Sequence, residues 1–534
     1  MAMTDAPSTI VPAPVPDEVF EPMPALVRRH AAERPGHPAI RDGGLTVAWG
    51  ELGRRVDRVA AALAGAGLRI GDRVAGLSEN SADLVALYLG TLAAGGCMAP
   101  LPTSATPEAL GGMLADSGAR FLFASARYRP AGEEIAGGVP VRIGLDFADG
   151  AWTGLEDWLG GTAAEPPAVG LGPDDGFDII YSSGTTSVPK GILHDHRFRS
   201  RQNRQRVAAY GLGGDAVTLI ATPLYSNTTL VALLPTLAGG GTVVLMRKFD
   251  ARGYLELAER ERATHTMLVP VQYERLLALP DFDSFDLSSF RAKMSTSAPL
   301  RASVLRAILE RWPGRMLDGY GMTEGGVGTV LDAAAFPDKL ESVGRPAGGA
   351  DIRIIDEQGR ELPRGETGEI VGRSSTMMSG YHGAPAATRE AVWYSPEGEA
   401  FIRSGDLGRF DGDGFLYLLD RRKDMILSGG FNIYASDLEQ VLLSHDAVAE
   451  AAVVAVPSPE WGETPLGFVV PKPGRTVDAA DLLAWANGRL GRTHRLSGLE
   501  LRESLPRSEI GKVLKRELRA PYREGERREE ERKA

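Results

Sequence analysis

Along residues 26–341 one hydrophobic pattern recurs. A stretch with apolar residues at helical spacing meets a glycine or polar break, and a short, nearly continuous apolar run follows. The short runs read RVAGLS, FLFAS, FDIIYSS, VTLIATP and HTMLVPV. Unalternating runs of this length suit strands buried on both faces, as parallel sheets require. Their alternation with helical stretches predicts a large, mostly parallel α/β body. Between 345 and 417 the texture changes. ADIRIIDEQGRELPRGETGEIVGRS alternates apolar with polar residues between glycine turns, which predicts an antiparallel β portion. LYLLDRRKDMILSGGFNIYASDLEQVL then sets five consecutive charges between apolar runs, and a boundary is expected there. Beyond it, VAEAAVVAVPSP, TPLGFVVPKP and DLLAWANGRLGRTH read as strand, strand and helix of a small α+β unit. The expected organisation is a Pro-rich flexible arm over 1–20, a large domain over 21–422, a small domain over 423–520 and a charged tail over 521–534.

Two longer apolar stretches, 84–101 and 229–246, have nearly the length of a membrane span. Each is broken by a glycine cluster and resumes as a short apolar run, so each reads as helix, turn and buried strand. The opening MAMTDAPSTIVPAPVPDEVF has neither a basic nor an apolar signal region, so no signal peptide is expected. The net charge of −11 offers no basic footprint for nucleic acid. A single cysteine, Cys97, permits no intrachain disulfide and fits a reducing, cytoplasmic setting. The chain has nine lysines against fifty arginines, and none precedes Lys190. In such a chain, retained lysines suggest places that need a compact point charge.

Four stretches carry candidate chemistry. YSSGTTSVPKG, over 181–191, leaves the end of an apolar strand, where open α/β sheets bind ligands. Ser182, Ser183 and Gly184 let backbone N–H groups converge on an anion, Thr185 and Thr186 add hydroxyls, and Lys190 adds charge. A solvated surface turn has the same composition, and the spacing is not that of a P-loop. LDGYGMTEGG, over 317–326, gathers Tyr320 to stack on a purine, Thr323 to bond a phosphate and Glu324 to hold Mg²⁺. A plain turn is the alternative. In RSGDLGRFDGDG, Asp406 follows Gly405, with Gly408 shortly after, and is exposed enough to accept two ribose hydroxyls, or is a β-turn aspartate. LPRSEIGKVLKREL, over 505–518, presents Lys512 on a turn before a basic helix, or is a solvated charged face. His194 and His196 form a His-x-His pair without a further metal ligand at suitable spacing, and read as structural. No Ser-His-Asp constellation is legible.

In this order and spacing the four stretches resemble the adenylate-forming superfamily of acyl- and aryl-CoA ligases, nonribosomal-peptide adenylation domains and beetle luciferases. The resemblance runs from about residue 26 to 518 and includes GDRVAGLSENSADLVALYLGTLAAGGCMAPL and the GRP at 344–346. It implies a large N-terminal domain and a small, mobile C-terminal one. It implies that Ser182, Ser183, Gly184, Thr185, Thr186 and Lys190 cradle phosphates, although Ser187, followed by Val188, stands in for one glycine of the family's loop. Thr296, Ser297, Ala298 and Pro299 stand where the family has Gly-Gly-Ala-Pro, so Ser297, Ala298 and Pro299 are expected at the adenine. Asp318, Gly319, Tyr320, Gly321 and Thr323 complete the nucleotide site, with Asp406 on the ribose and Arg421 as a further contact. The resemblance assigns catalysis to Lys512, Thr186 and Glu324, Mg²⁺ to Glu324, the hinge to Lys423 and a coenzyme A tunnel to Ser428, Gly429 and Gly430.

The expected reaction is ATP-dependent ligation of a carboxylic acid to coenzyme A through an acyl-adenylate. Loading of a carrier protein is the alternative, and a non-catalytic nucleotide-binding protein the remote one. ATP, Mg²⁺ and coenzyme A are the expected cofactors and co-substrates, with no membrane span and a homodimer as the candidate assembly. The acid pocket is expected at Tyr225, Ser226 and Asn227, in TPLYSN. Ser226 stands where many family members carry histidine, and no aspartate is placed for an α-ammonium. Asn227 has a counterpart in aryl-acid adenylating enzymes, which favours an oxygenated aryl acid.

Overall fold

The structure is a computed structural model that describes residues 10, 12–15, 19–160, 165–181, 190–422, 424–428, 431–491, 494–508 and 511–522. The chain forms two compact units, Met1–Ile352 with Val371–Ile402, and Arg353–Ile370 with Arg403–Ala534. The first is an α/β body on two sheets, one of nine strands and one of eight. In the nine-stranded sheet, Pro38–Asp42, Thr242–Leu245, Val217–Ile220, His265–Leu268, Ala292–Ser295 and Arg315–Gly321 run parallel in that spatial order. In the eight-stranded sheet, Gly176–Tyr181 lies beside Cys97–Pro100 in the parallel core, and Gly191–Asp195 and then Gly380–Tyr381 follow on that side as antiparallel strands.

The apolar runs became these strands because burial on both faces left no alternation to break. Phe121, Leu122, Phe123 and Ala124 are all fully buried. Both span-length stretches fold as their glycines predict. Helix Ala82–Ala93 reaches strand Cys97–Pro100 through Gly95 and Gly96, and helix Asn227–Ala238 reaches Thr242–Leu245 through 239–241. Gly95 and Gly240 take φ of 84° and 77°, a left-handed turn that glycine adopts without steric cost. Among the described residues no helix is long and apolar enough to cross a membrane.

The second unit carries the antiparallel portion that the alternating text predicts. From Asp406 to Phe410 its chain pairs antiparallel with Leu416–Arg421. A sheet built on the long pair Val448–Ser458 and Gly462–Pro471 follows, with Gly498–Leu501 added in parallel. Helices Ala435–Leu443 and Ala479–Asn487 bury Leu438, Leu442, Leu482 and Ala486 in one cluster, and Leu518 packs with Val454 and Phe468 in another. Lys515 reaches Glu439 at 2.7 Å. Burial opposes the ammonium, but Glu439 and Asp420 outweigh it and hold the Lys515 pKa above its usual value.

Two buried ionisable groups of the nine-stranded sheet, Lys293 and Asp318, have no ion-pair partner among the described residues. Lys293 is fully buried and donates to the carbonyls of Trp312, Pro313 and Gly314 at 3.0, 2.5 and 2.8 Å. A three-donor ammonium closes this turn as a planar guanidinium would not, in line with the sparing use of lysine. Burial pushes its pKa down to about 7. Asp318 lies on the neighbouring strand, opposite Ser295, and is 5% exposed. Burial pushes its carboxyl up to about 7, and Ser295 offsets only part of that.

The raised carboxyl sets a pH dependence. An unfolded aspartate ionises near 3.9, so the folded chain holds the extra proton between about pH 4 and pH 7. Stability from this site is therefore greatest below about pH 4, falls as pH rises to about 7, and is level above that. The full difference is about 4 kcal/mol at one and a third kcal/mol per unit. Asp318→Asn should stabilise the ligand-free protein at pH 8 and change little at pH 4, measured by urea unfolding. An equal effect at both values would show that Asp318 does not titrate this way.

Candidate active site

The candidate residues of the first unit cluster at the carboxyl ends of parallel strands, where side chains and loop backbone meet without a covering sheet. Strand Gly176–Tyr181 leads into the segment 182–189, and Lys190 stands at its exit. Ala292–Ser295 leads into 296–299 and Arg315–Gly321 into 322–327. Val217–Ile220 leads through 221–226 to helix Asn227–Ala238. The sheets are joined here by Asn80, which is 2% exposed. Its amide donates to the carbonyls of Thr222 and Met246, and its oxygen accepts from the Leu224 N–H at 2.8 Å.

Asp178, the second residue of FDIIY, is a fully buried hub. It accepts from Tyr88 Oη at 2.6 Å, His194 Nδ1 at 2.6 Å, and Arg199 Nε and Nη2 at 2.9 and 2.7 Å. Burial alone would raise this carboxyl; Arg199 and His194 outweigh it and hold its pKa below the ordinary range. His194 Nε2 lies 2.7 Å from the Thr323 carbonyl. Nδ1 also lies 3.1 Å from Arg199 Nη2, so the ring is held from Asp178 and Arg199 on one side and from the Thr323 carbonyl on the other. His194 stacks on Phe198 at 4.2 Å. Arg199 Nη1 continues to Gln202 Oε1 and Asn227 Oδ1, both at 2.9 Å. One buried network therefore links both strands flanking 182–189, the Thr323 turn and the start of the helix at Asn227.

The Thr323–Glu324 turn is pinned on its other side by 376–378. The Gly326 N–H donates to Thr376 O and the Met378 N–H to Glu324 O, both at 2.8 Å. Gly325 and Gly326 have φ of 74° and 77°, and a Cβ on either would meet a backbone oxygen within 2.5 Å. The tight approach therefore requires glycine. Tyr381 Oη donates to Glu324 Oε1 at 2.8 Å. Burial, then Glu324, keep the phenol far above its ordinary pKa, so it remains a donor. Lys190 Nζ lies 5.1 Å from the centre of the Tyr381 ring. Lys190, Tyr381 and Glu324 thus form one cluster, with a cation, a neutral donor and a carboxylate.

This donor set fits Mg²⁺ brought by a phosphate ligand. Mg²⁺ takes one or two carboxylates and otherwise water and phosphate oxygens. Tyr381 engages Glu324 Oε1, and among the described residues no group of three or more His, Cys, Asp or Glu is placed to hold a metal by itself. His196, beside His194, is 1% exposed, and its ring nitrogens meet no partner among the described residues. Burial lowers its pKa to about 4, and its ring packs edge-on against Phe177.

At 296–299 the departure from glycine has a visible consequence. Ser297 takes φ 80°, a left-handed conformation costing a non-glycine residue about 1 kcal/mol or more. Its hydroxyl lies 2.6 Å from Thr228 Oγ1, at the start of the helix that also carries Asn227. Ala298 is half-buried and Pro299 exposed. Gly319, Tyr320 and Gly321 end their strand in register with Val330, Thr329 and Gly328. In TPLYSN, Ser226 is the helix N-cap and accepts from the Thr228 N–H. Tyr225 Oη is 3.5 Å from Ser104 Oγ. The expected wall residues thus divide between a cap, Ser226, and Asn227, whose oxygen is held by Arg199.

In the second unit Asp406 and Arg421 sit directly opposite on paired strands, with Arg421 Nε 3.2 Å from Asp406 Oδ1. Gly405, at φ 70°, precedes Asp406. Lys512 follows a tight turn. The Gly511 N–H donates to Ser508 O, the Lys512 N–H to Ser508 Oγ, and the Ser508 N–H to Lys512 O. A helix over 515–522 follows. Ser428 ends strand Ile426–Ser428, opposite Gly462 and Phe431. Ser182, Ser183, Gly184, Thr185, Thr186, Lys423, Gly429 and Gly430 lie outside the described residues.

Sequence reasoning left out Asn80, Asp178, Arg199 and Tyr381. A charge inside the apolar run FDIIY was a usable signal, because a lone buried carboxylate needs partners. Arg199 stands among five arginines of one helix, and nothing local marks Tyr381.

Comparison with known proteins agrees with this geometry. The AMP-binding enzyme family model matches residues 27–382, and that for the AMP-binding enzyme C-terminal domain matches 437–512. A feruloyl-CoA synthase of Amycolatopsis sp is 36% identical over 496 residues, covering 92% of this chain and 98% of that protein. The fatty acid–[acyl-carrier-protein] ligase ScoC of Streptomyces coeruleorubidus is 32% identical, covering 92% of this chain and 94% of that protein. The structure of ATP-bound MatB from Rhodopseudomonas palustris superposes with a TM-score of 0.83 at 32% identity, covering 94% of this chain and 99% of that one. The chain belongs to the AMP-binding enzyme family, the adenylate-forming superfamily.

Proposed function

We propose that this protein is an AMP-forming acid–thiol ligase that joins a carboxylic acid to coenzyme A. One carboxylate oxygen attacks the α-phosphorus of ATP, pyrophosphate leaves, and the acyl-adenylate then yields its acyl group to the thiol with release of AMP. The observation that carries this reading is the Lys190–Tyr381–Glu324 cluster at the carboxyl ends of the parallel strands. It offers a cation and a metal-binding carboxylate where a triphosphate needs both.

The reaction brings two anions together, so its barrier is lowered mainly by neutralising charge and fixing position. Segment 182–189, with Thr186 among its hydroxyls, and Lys190 take the β- and γ-phosphates. Glu324 holds Mg²⁺, which supplies charge to the departing pyrophosphate when bound. Tyr381 orients Glu324 from behind, as partners of metal ligands commonly do. Asp406 takes the ribose hydroxyls and Arg421 a further nucleotide contact, while 296–299 and 318–321 border the adenine. Lys512 binds the attacking carboxylate and α-phosphate. A long thiol then needs that place, so the small domain, 423–520 beyond the body 21–422, turns about Lys423 and brings in 428–430.

The acid is proposed to be an oxygenated aryl acid, held at 225–227. The feruloyl-CoA synthase relatives support this class. A second reading, transfer to a carrier-protein thiol, is favoured by the relative ScoC. AMP release from a panel of aryl and aliphatic acids, with coenzyme A or an acyl-carrier protein, tests both. Coenzyme A-dependent turnover of an aryl acid is expected. AMP release with carrier protein alone selects the second reading, and no AMP with any acid rejects both.

Lys512→Ala should slow adenylate formation by roughly 10²–10³, the cost of losing one preorganised charge contact. Thioester formation from preformed acyl-adenylate should suffer far less. Equal losses in the two half-reactions would contradict a Lys512 that withdraws.

Tyr381→Phe removes one hydroxyl and keeps the ring beside Lys190. The Mg²⁺ concentration for half-maximal binding of a fluorescent ATP analogue should rise about 10-fold or more. An unchanged Mg²⁺ dependence would remove Tyr381 from the orientation of Glu324.

A further inference from the structure

Asn227 has its polarity dictated by the protein. The atom 2.9 Å from Arg199 Nη1 must accept, because a guanidinium has only donors; it is therefore Oδ1. The Nδ2 amide is turned away, and it meets no acceptor among the described residues on this half-buried side chain. Arg199 is itself immobile. It is fully buried, with Nε and Nη2 on Asp178 and Nη1 also on Gln202. Flipping Asn227 would set its amide donors against the guanidinium.

Asp178 already has donors in Tyr88 and His194. Well-packed apolar residues often replace a buried ion pair at no loss of stability. What the guanidinium adds here is reach, from Asp178 to the first residue of the helix Asn227–Ala238.

We propose that Arg199 is a positioning residue that sets the chemical preference of the acid pocket. It holds Asn227 as an N–H donor, so the pocket selects an acid bearing an oxygen acceptor over the same acid with a methylene in its place. This rests on the placement of Asn227 in that pocket. The discrimination arises because a site built to hydrogen-bond leaves its amide buried and unpaired against the plain analogue.

The test uses the full chain and matched acids: 3- and 4-methoxycinnamic acid against 3- and 4-ethylcinnamic acid. The wild type should favour the methoxy member of at least one pair, by roughly 5- to 150-fold in kcat/KM. Arg199→Lys keeps a positive charge for Asp178, but one ammonium lacks the fork that spans both partners. It should bring that ratio close to one, the loss falling on the methoxy acid, with KM for ATP near the wild-type value. Asn227→Asp keeps an acceptor for Arg199 and removes the N–H donor at nearly constant volume. It should erase or invert the preference without lowering thermal stability. If both Asn227→Asp and Asn227→Leu depress all four acids equally, the pocket assignment falls, and the proposal with it. If the Asn227 variants erase the preference while Arg199→Lys retains it, the pocket stands and Arg199 is not its positioning residue. A wild type with no preference in either pair, or with no turnover of any of the four acids, overturns the proposal.

Discussion

The first unit is organised around a carboxylate that is fully buried. Asp178 lies in a strand of the eight-stranded sheet, and four donor contacts from Tyr88, His194 and Arg199 hold it. Removing one partner of such a group leaves an uncompensated buried charge, typically at 3–5 kcal/mol. The constraint therefore fixes the partners as firmly as the partners fix Asp178. Through His194 it fixes the Thr323 carbonyl, and with it the turn that presents Glu324. Through Arg199 it fixes the start of the helix at Asn227. Two loops from one sheet are thereby registered against a strand of the other, which backbone pairing within either sheet could not do.

Charge type follows geometry across the molecule. Where a planar fork must span two partners the chain uses arginine, as at Arg199 between Asp178 and Asn227. Where a compact charge must meet several carbonyls or one ring it uses lysine, as at Lys293 under three carbonyls and Lys190 over Tyr381. Glycine is spent in the same way. Gly325 and Gly326 let the Glu324 turn press against 376–378, while Ser297 accepts a left-handed backbone and ties its hydroxyl to Thr228.

Much of this architecture was legible in the chain. Uninterrupted apolar runs gave buried parallel strands, because burial on both faces removes alternation. Glycines 95–96 and 239–241 separated helix from strand in stretches long enough to suggest membrane spans. Lys190 and Glu324, which the structure brings to one cluster, each lie in a contiguous stretch that the sequence marks, 181–191 and 317–326. What joins those stretches was not legible. Tyr381 is 57 residues from Glu324, and Arg199 is 28 from Asn227. Such partners are chosen by topology, and neither residue carries a local pattern that announces it. Ser226 was expected beside the acid because of the residue it replaces; its position before a helix equally fits the cap that it makes.

The central claim is that the acid is activated at phosphorus with loss of pyrophosphate. Turnover of an accepted acid labelled with oxygen-18 in both carboxylate oxygens tests it directly. Attack on the α-phosphorus followed by acyl transfer leaves one labelled oxygen in AMP, which mass spectrometry of the nucleotide reads. AMP carrying one label per turnover is the predicted result. Unlabelled nucleotide, with ADP and labelled orthophosphate formed instead, would contradict it.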